Sequence, residues 1–333
     1  HPAKVAAPAI IFFPYIPGRL HCGFAGLMTC RLRPGEEKTS PDQTLADLWK
    51  HIQKAALETV LDGTKRAAEY LTGMDALQIM DDAVAALKEE NHQAFLFFRP
   101  DKTEALSRLV ADLACFLKKE EKQLENQAAA IGSSDLEIIN SLLLVLKDIC
   151  WGLERDVLAN LEKILILSGA QDVCAVSESA FRKYRKLNLL LNALDRLEVR
   201  GRDSAGIQLS FVVNNQETLP DILRQIRQSG WMDEYERRNQ KGDLANASIF
   251  IASAGEKNPG KTSVTFTYKT YSIVGELGRN VADLRKTIQN DRILQCFAWA
   301  AAENETALTH TRWASVGSIT EENCHPVNNY STI

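Results

Sequence analysis

The chain has little that would tie it to a metal, a nucleic acid or a membrane. Histidine is scarce, six in 333 residues, and no Cys-x-x-Cys pair occurs, so no metal-ligating constellation and no cofactor are expected. An excess of positive charge is missing as well. The formal net charge is −4 with a pI near 6.0, which provides no basic field for phosphate backbones or anionic lipid. Neither nucleic acid nor membrane is an expected partner. A short apolar run in the opening "HPAKVAAPAIIFFPYIPGRL" is interrupted by Pro14 and Pro17, and residues 1–21 read as an N-terminal extension or propeptide rather than a signal peptide. The seven cysteines, Cys22, Cys30, Cys115, Cys150, Cys174, Cys296 and Cys324, are odd in number and widely spaced. Most sit in apolar helical patterns, where a thiol acts as a small hydrophobe, and this usage fits a reducing, cytoplasmic setting.

What is present is enough apolar material for two cores: 45% of the residues are hydrophobic and 25% charged. A short strand is expected over 22–32. After "RPGEEKTSPDQ" the texture becomes helical, with Leu45, Leu48, Ile52 and Ala55 at three- and four-residue spacings behind a Ser-Pro-Asp start. Similar runs follow in "MDALQIMDDAVAALKEE", "TEALSRLVADLACFLKKEEKQLENQ" and "SDLEIINSLLLVLKDICWGLERDVLANLEKILIL". Four or five helices with apolar stripes are expected to pack as a bundle. "SESAFRKYRKLNLLLNALDRLEVRG" adds a helix capped by Ser177 or Ser179 that ends before Gly201.

Beyond Gly201 the pattern alternates. "AGIQLSFVV", "ASIFIASA", "SVTFTYKTYSIV" and "ILQCFAWAA" are strand candidates, the last equally readable as a short buried helix. "DILRQIRQSGWMDEYERRNQ" and "GRNVADLRKTIQND" lie between them as helices, and the whole is an α+β arrangement. "GEKNPGKT" at 255–262 fits the pattern of a phosphate-binding loop. Such a loop must open a helix, and the period-two run that follows is a strand, so Asn258-Pro259-Gly260 reads as a hairpin turn.

Three stretches, "CGFAGL" (22–27), "LNALDRLEVRGRDSAGIQLS" (191–210) and "LTHTRWASVGSITEENCHPVNN" (308–329), carry a more specific signal. In this order they resemble the glutaminase domain of the class II glutamine amidotransferases, and within that family the glucosamine-6-phosphate synthases most. The matching positions are Cys22-Gly23 and Gly26, then Arg196–Glu198, Arg200-Gly201 and Asp203–Gly206, then His310–Ala314, Gly317 and His325-Pro326. The resemblance implies an N-terminal nucleophile hydrolase: an αββα sandwich formed by 22–39 with 186–333, and a large all-α insertion at 40–185. It also implies that Cys22 becomes the first residue of the mature chain, because this chemistry uses the free α-amine as the base. An α-amine has a pKa of about 7.7 to 8.0, suited to relaying the thiol proton near neutral pH.

On that resemblance Cys22 is the nucleophile, and Arg312, Trp313 and Ser315 bind L-glutamine, with the guanidinium of Arg312 holding the α-carboxylate. Arg200, Gly201, Asp203 and His325 support the site. The implied product, ammonia, passes to a sugar-phosphate acceptor in a downstream SIS-type domain, and a homo-oligomer is possible. The sequence departs from the family at Ser315 and Val316, where threonine and histidine are usual. The family's His-Asn-Gly segment, which supplies the oxyanion hole, is expected further along a longer polypeptide. Other acceptors, and a catalytically inactive homologue acting as a scaffold through its helical insertion, remain open alternatives.

Overall fold

Local signals set where the helices begin. Ser40 precedes α1 (Pro41–Ile52), with Pro41 in its first turn, where the missing N–H costs nothing. The run that follows is broken into α2 (Leu57–Leu61) and a 3-10 turn (Ala67–Thr72) before α3 (Met74–Leu87), α4 (Glu90–Phe97), α5 (Pro100–Gln127) and α6 (Ser133–Trp151). A π-helical stretch, Gly152–Leu158, leads into α7 (Ala159–Ser168) and then α8 (Glu178–Leu197). These coordinates are a computed structural model that describes residues 23–30, 40–239, 244–253, 260–272, 276–302, 304–314 and 317–327.

The described residues divide into two units, one within Pro34–Lys163 and one combining His1–Arg33 with Ile164–Ile333. In the helical unit α1 packs on α3 and α5, and α6 packs on α3 and α5. The buried stripe of α5 is Leu106, Val110, Leu113, Leu117, Glu120 and Leu124, at alternating spacings of four and three. Trp49 of α1 meets Phe116 of α5 edge to face, with ring centroids 5.2 Å apart. Glu120 is fully buried in that stripe because one of its oxygens accepts the Leu57 N–H at 2.6 Å, capping α2.

The second unit holds β1 (Gly23–Cys30), β2 (Ser204–Asn214), α9 (Thr218–Gln228), α10 (Met232–Arg238), β3 (Ser248–Ser253), β4 (Lys261–Tyr271), α11 (Arg279–Gln289), α12 (Arg292–Ala298) and β5 (Asn304–Arg312). The strands form one antiparallel sheet in the order β1-β5-β2-β4-β3. Period-two alternation gives the sheet two different faces. Ala205, Ile207, Leu209, Phe211 and Val213 of β2, with Val264, Phe266 and Tyr268 of β4, are buried on the face covered by α8, α9 and α11. On the other face, Phe24, Val212, Phe250 and Leu308 are half-buried among Ser210, Thr265 and Thr306.

Several boundaries differ from those expected. Of the two readings open for "ILQCFAWAA", strand or short buried helix, the helix forms, as α12, because the Asp291 carboxylate accepts the N–H groups of Ile293 and Leu294, both at 3.0 Å. Its buried Ile293, Leu294, Cys296, Phe297 and Ala298 give it the apolar density of a buried strand. β5 was not among the strand candidates, since its inward positions include Glu305, Thr309 and Thr311. The helical unit closes at Lys163 rather than at 185. The reason is α8, whose N-terminal half already buries Phe181, Lys183, Tyr184 and Lys186 and packs on β5, β1 and β2. Among the described residues there is one sheet, not the two of a sandwich. The turn of the β3–β4 hairpin lies outside the described residues; Lys261, which follows Gly260, opens a strand and not a helix. None of the helices described is long and apolar enough to cross a membrane.

Candidate functional site

The three distant motif stretches share one end of the sheet. β5 is the central strand of the three: Thr311 pairs with Gly23 on one side and with Ala205 on the other, and Arg312 pairs with Ser204. Cys22 and Ser315 lie outside the described residues. Gly23, the residue after Cys22, is therefore the nearest described point to the expected nucleophile.

The chain before β2 is fastened to the chain after β5. The Asp203 N–H donates to the Arg312 carbonyl at 3.2 Å, and the Asp203 carboxylate accepts the Ala314 N–H at 2.6 Å. Asp203 thus holds the backbone on both sides of Trp313. Gly201 is needed there for space, since a Cβ would lie 2.8 Å from the Arg312 carbonyl carbon and 3.1 Å from the Trp313 nitrogen. Glu198, fully buried, anchors the same turn to α11: its carboxylate accepts the N–H of Val281 at 3.2 Å and that of Gly278. Arg200 ends the 3-10 turn Glu198–Arg200 and is exposed.

Arg312 is half-buried, and its Nη1 donates to the Ser318 carbonyl at 3.3 Å. Trp313 is 45% exposed beside it in sequence. A fixed guanidinium and an open indole suit a small molecule bearing a carboxylate, because the planar fork of donors matches the two oxygens.

The segment from Gly317 to Val327 returns over the sheet face opposite α8, α9 and α11. Gly206 makes this possible: a Cβ there would fall 1.8 Å from the His325 carbonyl oxygen. His325 lies across a cross-strand row in which His310, Gly206 and Lys269 are paired neighbours on β5, β2 and β4. Its ring faces that of His310 with centroids 4.3 Å apart. The Nδ1 atoms of both rings are buried and have no hydrogen-bond partner among the described residues. Burial, then His325, then Arg312 hold the His310 imidazole down at about 4; burial, Arg312 and Lys269 lower that of His325. Cys324, next in sequence, has no part in this pair. Its thiol donates to the Ala205 carbonyl at 3.1 Å, and burial raises its pKa. His310 was legible only as a letter of "HTRWA"; its contact with His325 depends on β-pairing that spacing does not reveal.

Two other polar clusters are saturated by their own partners. Lys183 and Lys186 of α8 share Glu305 of β5, at 3.4 and 2.5 Å. Lys183 also donates to the Ala300 carbonyl at 2.7 Å. A cleft of about 340 Å³ lined by Arg238, Lys286, Asn290 and Asp291 has its guanidinium occupied by Asp291 and the Ala247 carbonyl. Among the described residues no group of three or more His, Cys, Asp or Glu could hold a metal ion. No family model, no curated protein and no solved structure matches this chain.

Proposed function

We propose that this chain carries the glutamine-hydrolysing part of a class II glutamine amidotransferase of the glucosamine-6-phosphate synthase kind. The observation that supports the reading most is the convergence of its three motif stretches at one end of the adjacent strands β1, β5 and β2. The helices on one side of the sheet, and the half-buried Val212, Phe250 and Leu308 on the other, away from the returning segment, suit one half of an αββα sandwich whose second sheet packs on that part of the face.

In this reading, cleavage before Cys22 frees its α-amine. The amine takes the thiol proton, and the thiolate attacks the side-chain amide carbon of glutamine. The C–N bond breaks, the proton leaves with ammonia, and a glutamyl thioester remains that water hydrolyses to glutamate. Arg312 pairs with the α-carboxylate, and Asp203 and Gly201 keep its backbone in register with the nucleophile. The ammonia is then taken up by a sugar-phosphate acceptor. Val316, in place of the family's histidine, favours a second reading, a non-catalytic homologue.

Glutamate formation from glutamine, measured on a polypeptide long enough to carry the expected His-Asn-Gly segment, with and without residues 1–21, separates the two. The expected result is activity only in the form that begins at Cys22, abolished by Cys22→Ala, and an increase in KM of at least about tenfold in Arg312→Lys, because an ammonium cannot form the bidentate pair. Glutamate formation that survives Cys22→Ala would overturn the proposal, and no activity in any form would leave the non-catalytic homologue.

A further inference from the structure

The His310–His325 contact has no role in the chemistry above, and its surroundings are unusual. Two imidazoles face each other over Gly206, each with a buried Nδ1 that has no partner among the described residues. The charged groups acting on the pair are cations on two strands: Arg312 on β5, two residues beyond His310, and Lys269 on β4, across Gly206. From β2 the row presents only Gly206, and from β1 Phe24, which pairs with His310. Of the acids of the returning segment, Glu321 accepts the Asn246 N–H at 2.5 Å, and the Glu322 carboxyl is held low by its own backbone N–H and by Thr320, with Lys269 a lesser attraction. A cationic ligand is disfavoured in such a place, and so is a proton on either ring.

We propose that His310 and His325 form a pH-operated latch, closed while both rings are neutral, that holds the segment Gly317–Val327 against the sheet face opposite α8, α9 and α11. A proton on either imidazole places a third positive charge beside Arg312 and Lys269. The charge is relieved when His325 moves off Gly206 into water. Opening also removes the Ser318 carbonyl from Arg312 Nη1, so the latch sets the environment of the guanidinium at the sheet end.

The sign follows from the direction of the shifts. A histidine whose pKa is depressed in the closed state binds its proton preferentially in the open one, so closure is complete above the ordinary value of 6.5 and is lost as pH falls from there toward about 4. Hydrogen–deuterium exchange of the whole chain, corrected for the intrinsic pH dependence of amide exchange, tests this directly. Between pH 7 and pH 5, one such histidine should raise the opening of Gly317–Val327 about twentyfold, with α8 unchanged. His310→Gln and His325→Gln should each flatten that dependence. Corrected exchange in this segment that stays flat between pH 7 and 5 in the unaltered chain overturns the latch, whatever the variants do. So does an unchanged pH response in either glutamine variant that folds.

Discussion

The helical unit and the sheet unit solve the same problem, burying polar atoms, in opposite ways. Within Pro34–Lys163 the core is mainly aliphatic with Trp49, Tyr70 and Phe97 among it, and its buried polar side chains include Gln93, Glu120 and Asn160. Their main partners are backbone groups, such as the Leu57 N–H for Glu120 and the Asp156 carbonyl for Asn160. The sheet unit instead buries whole ions in networks. Lys183, Lys186 and Glu305 join α8 to β5, and Arg238 and Tyr268 converge on Asp291, with Tyr268 donating at 2.6 Å. A helix satisfies its own backbone and needs only an apolar stripe, whereas a sheet with long connections must be pinned by side chains from distant parts of the chain. Buried ions fix which arrangement forms, and each depends on its partners being present.

The largest expected effect comes from breaking one such network. Glu305→Ala leaves Lys183 and Lys186 buried without their carboxylate and should cost about 3 to 5 kcal/mol, read by urea denaturation. A loss below about 1 kcal/mol would mean that the sheet unit, like the helical one, is held mainly by apolar packing.

This contrast also explains what could be read in advance. The helices of the bundle follow from three- and four-residue spacings because their stripes are local, as in Leu106 to Leu124 of α5. Glu120 broke the stripe, and its reason, the N-terminus of α2, lay 63 residues away. β5 escaped notice because Glu305 and Thr309 face inward, each satisfied across the chain: Glu305 by α8, and Thr309 by the Gly206 carbonyl at 2.7 Å. At the candidate site Gly201, Asp203 and Arg312 were legible through motif resemblance, and their geometry joins them. The His310–His325 contact was not, since it needs the register of β5 against β2 and the return of a segment over Gly206.

A smaller effect should follow in the helical unit. Glu120→Gln keeps an acceptor for the Leu57 N–H and should cost about 1 kcal/mol, well below the loss at Glu305, in the same denaturation experiment. An equal loss at the two sites would erase the distinction between the units.

The smallest effect is a slope. Burial lowers the Lys183 ammonium from 10.5 to about 8, against the opposing pull of Glu305. The unfolded chain therefore holds this proton where the folded chain does not, and stability rises with pH between about 8 and 10.5 relative to a Lys183→Met variant. Denaturation midpoints at pH 8 and pH 10 check the sign, and a relative fall would place the lysine in a more polar site than its burial implies.

The most direct measurement is the intact mass of the polypeptide before and after treatment with an electrophilic glutamine analogue. The account predicts a chain that begins at Cys22 and gains a single adduct on that residue, lost when free glutamine competes. A chain that keeps residues 1–21 and takes no adduct on Cys22 would contradict it.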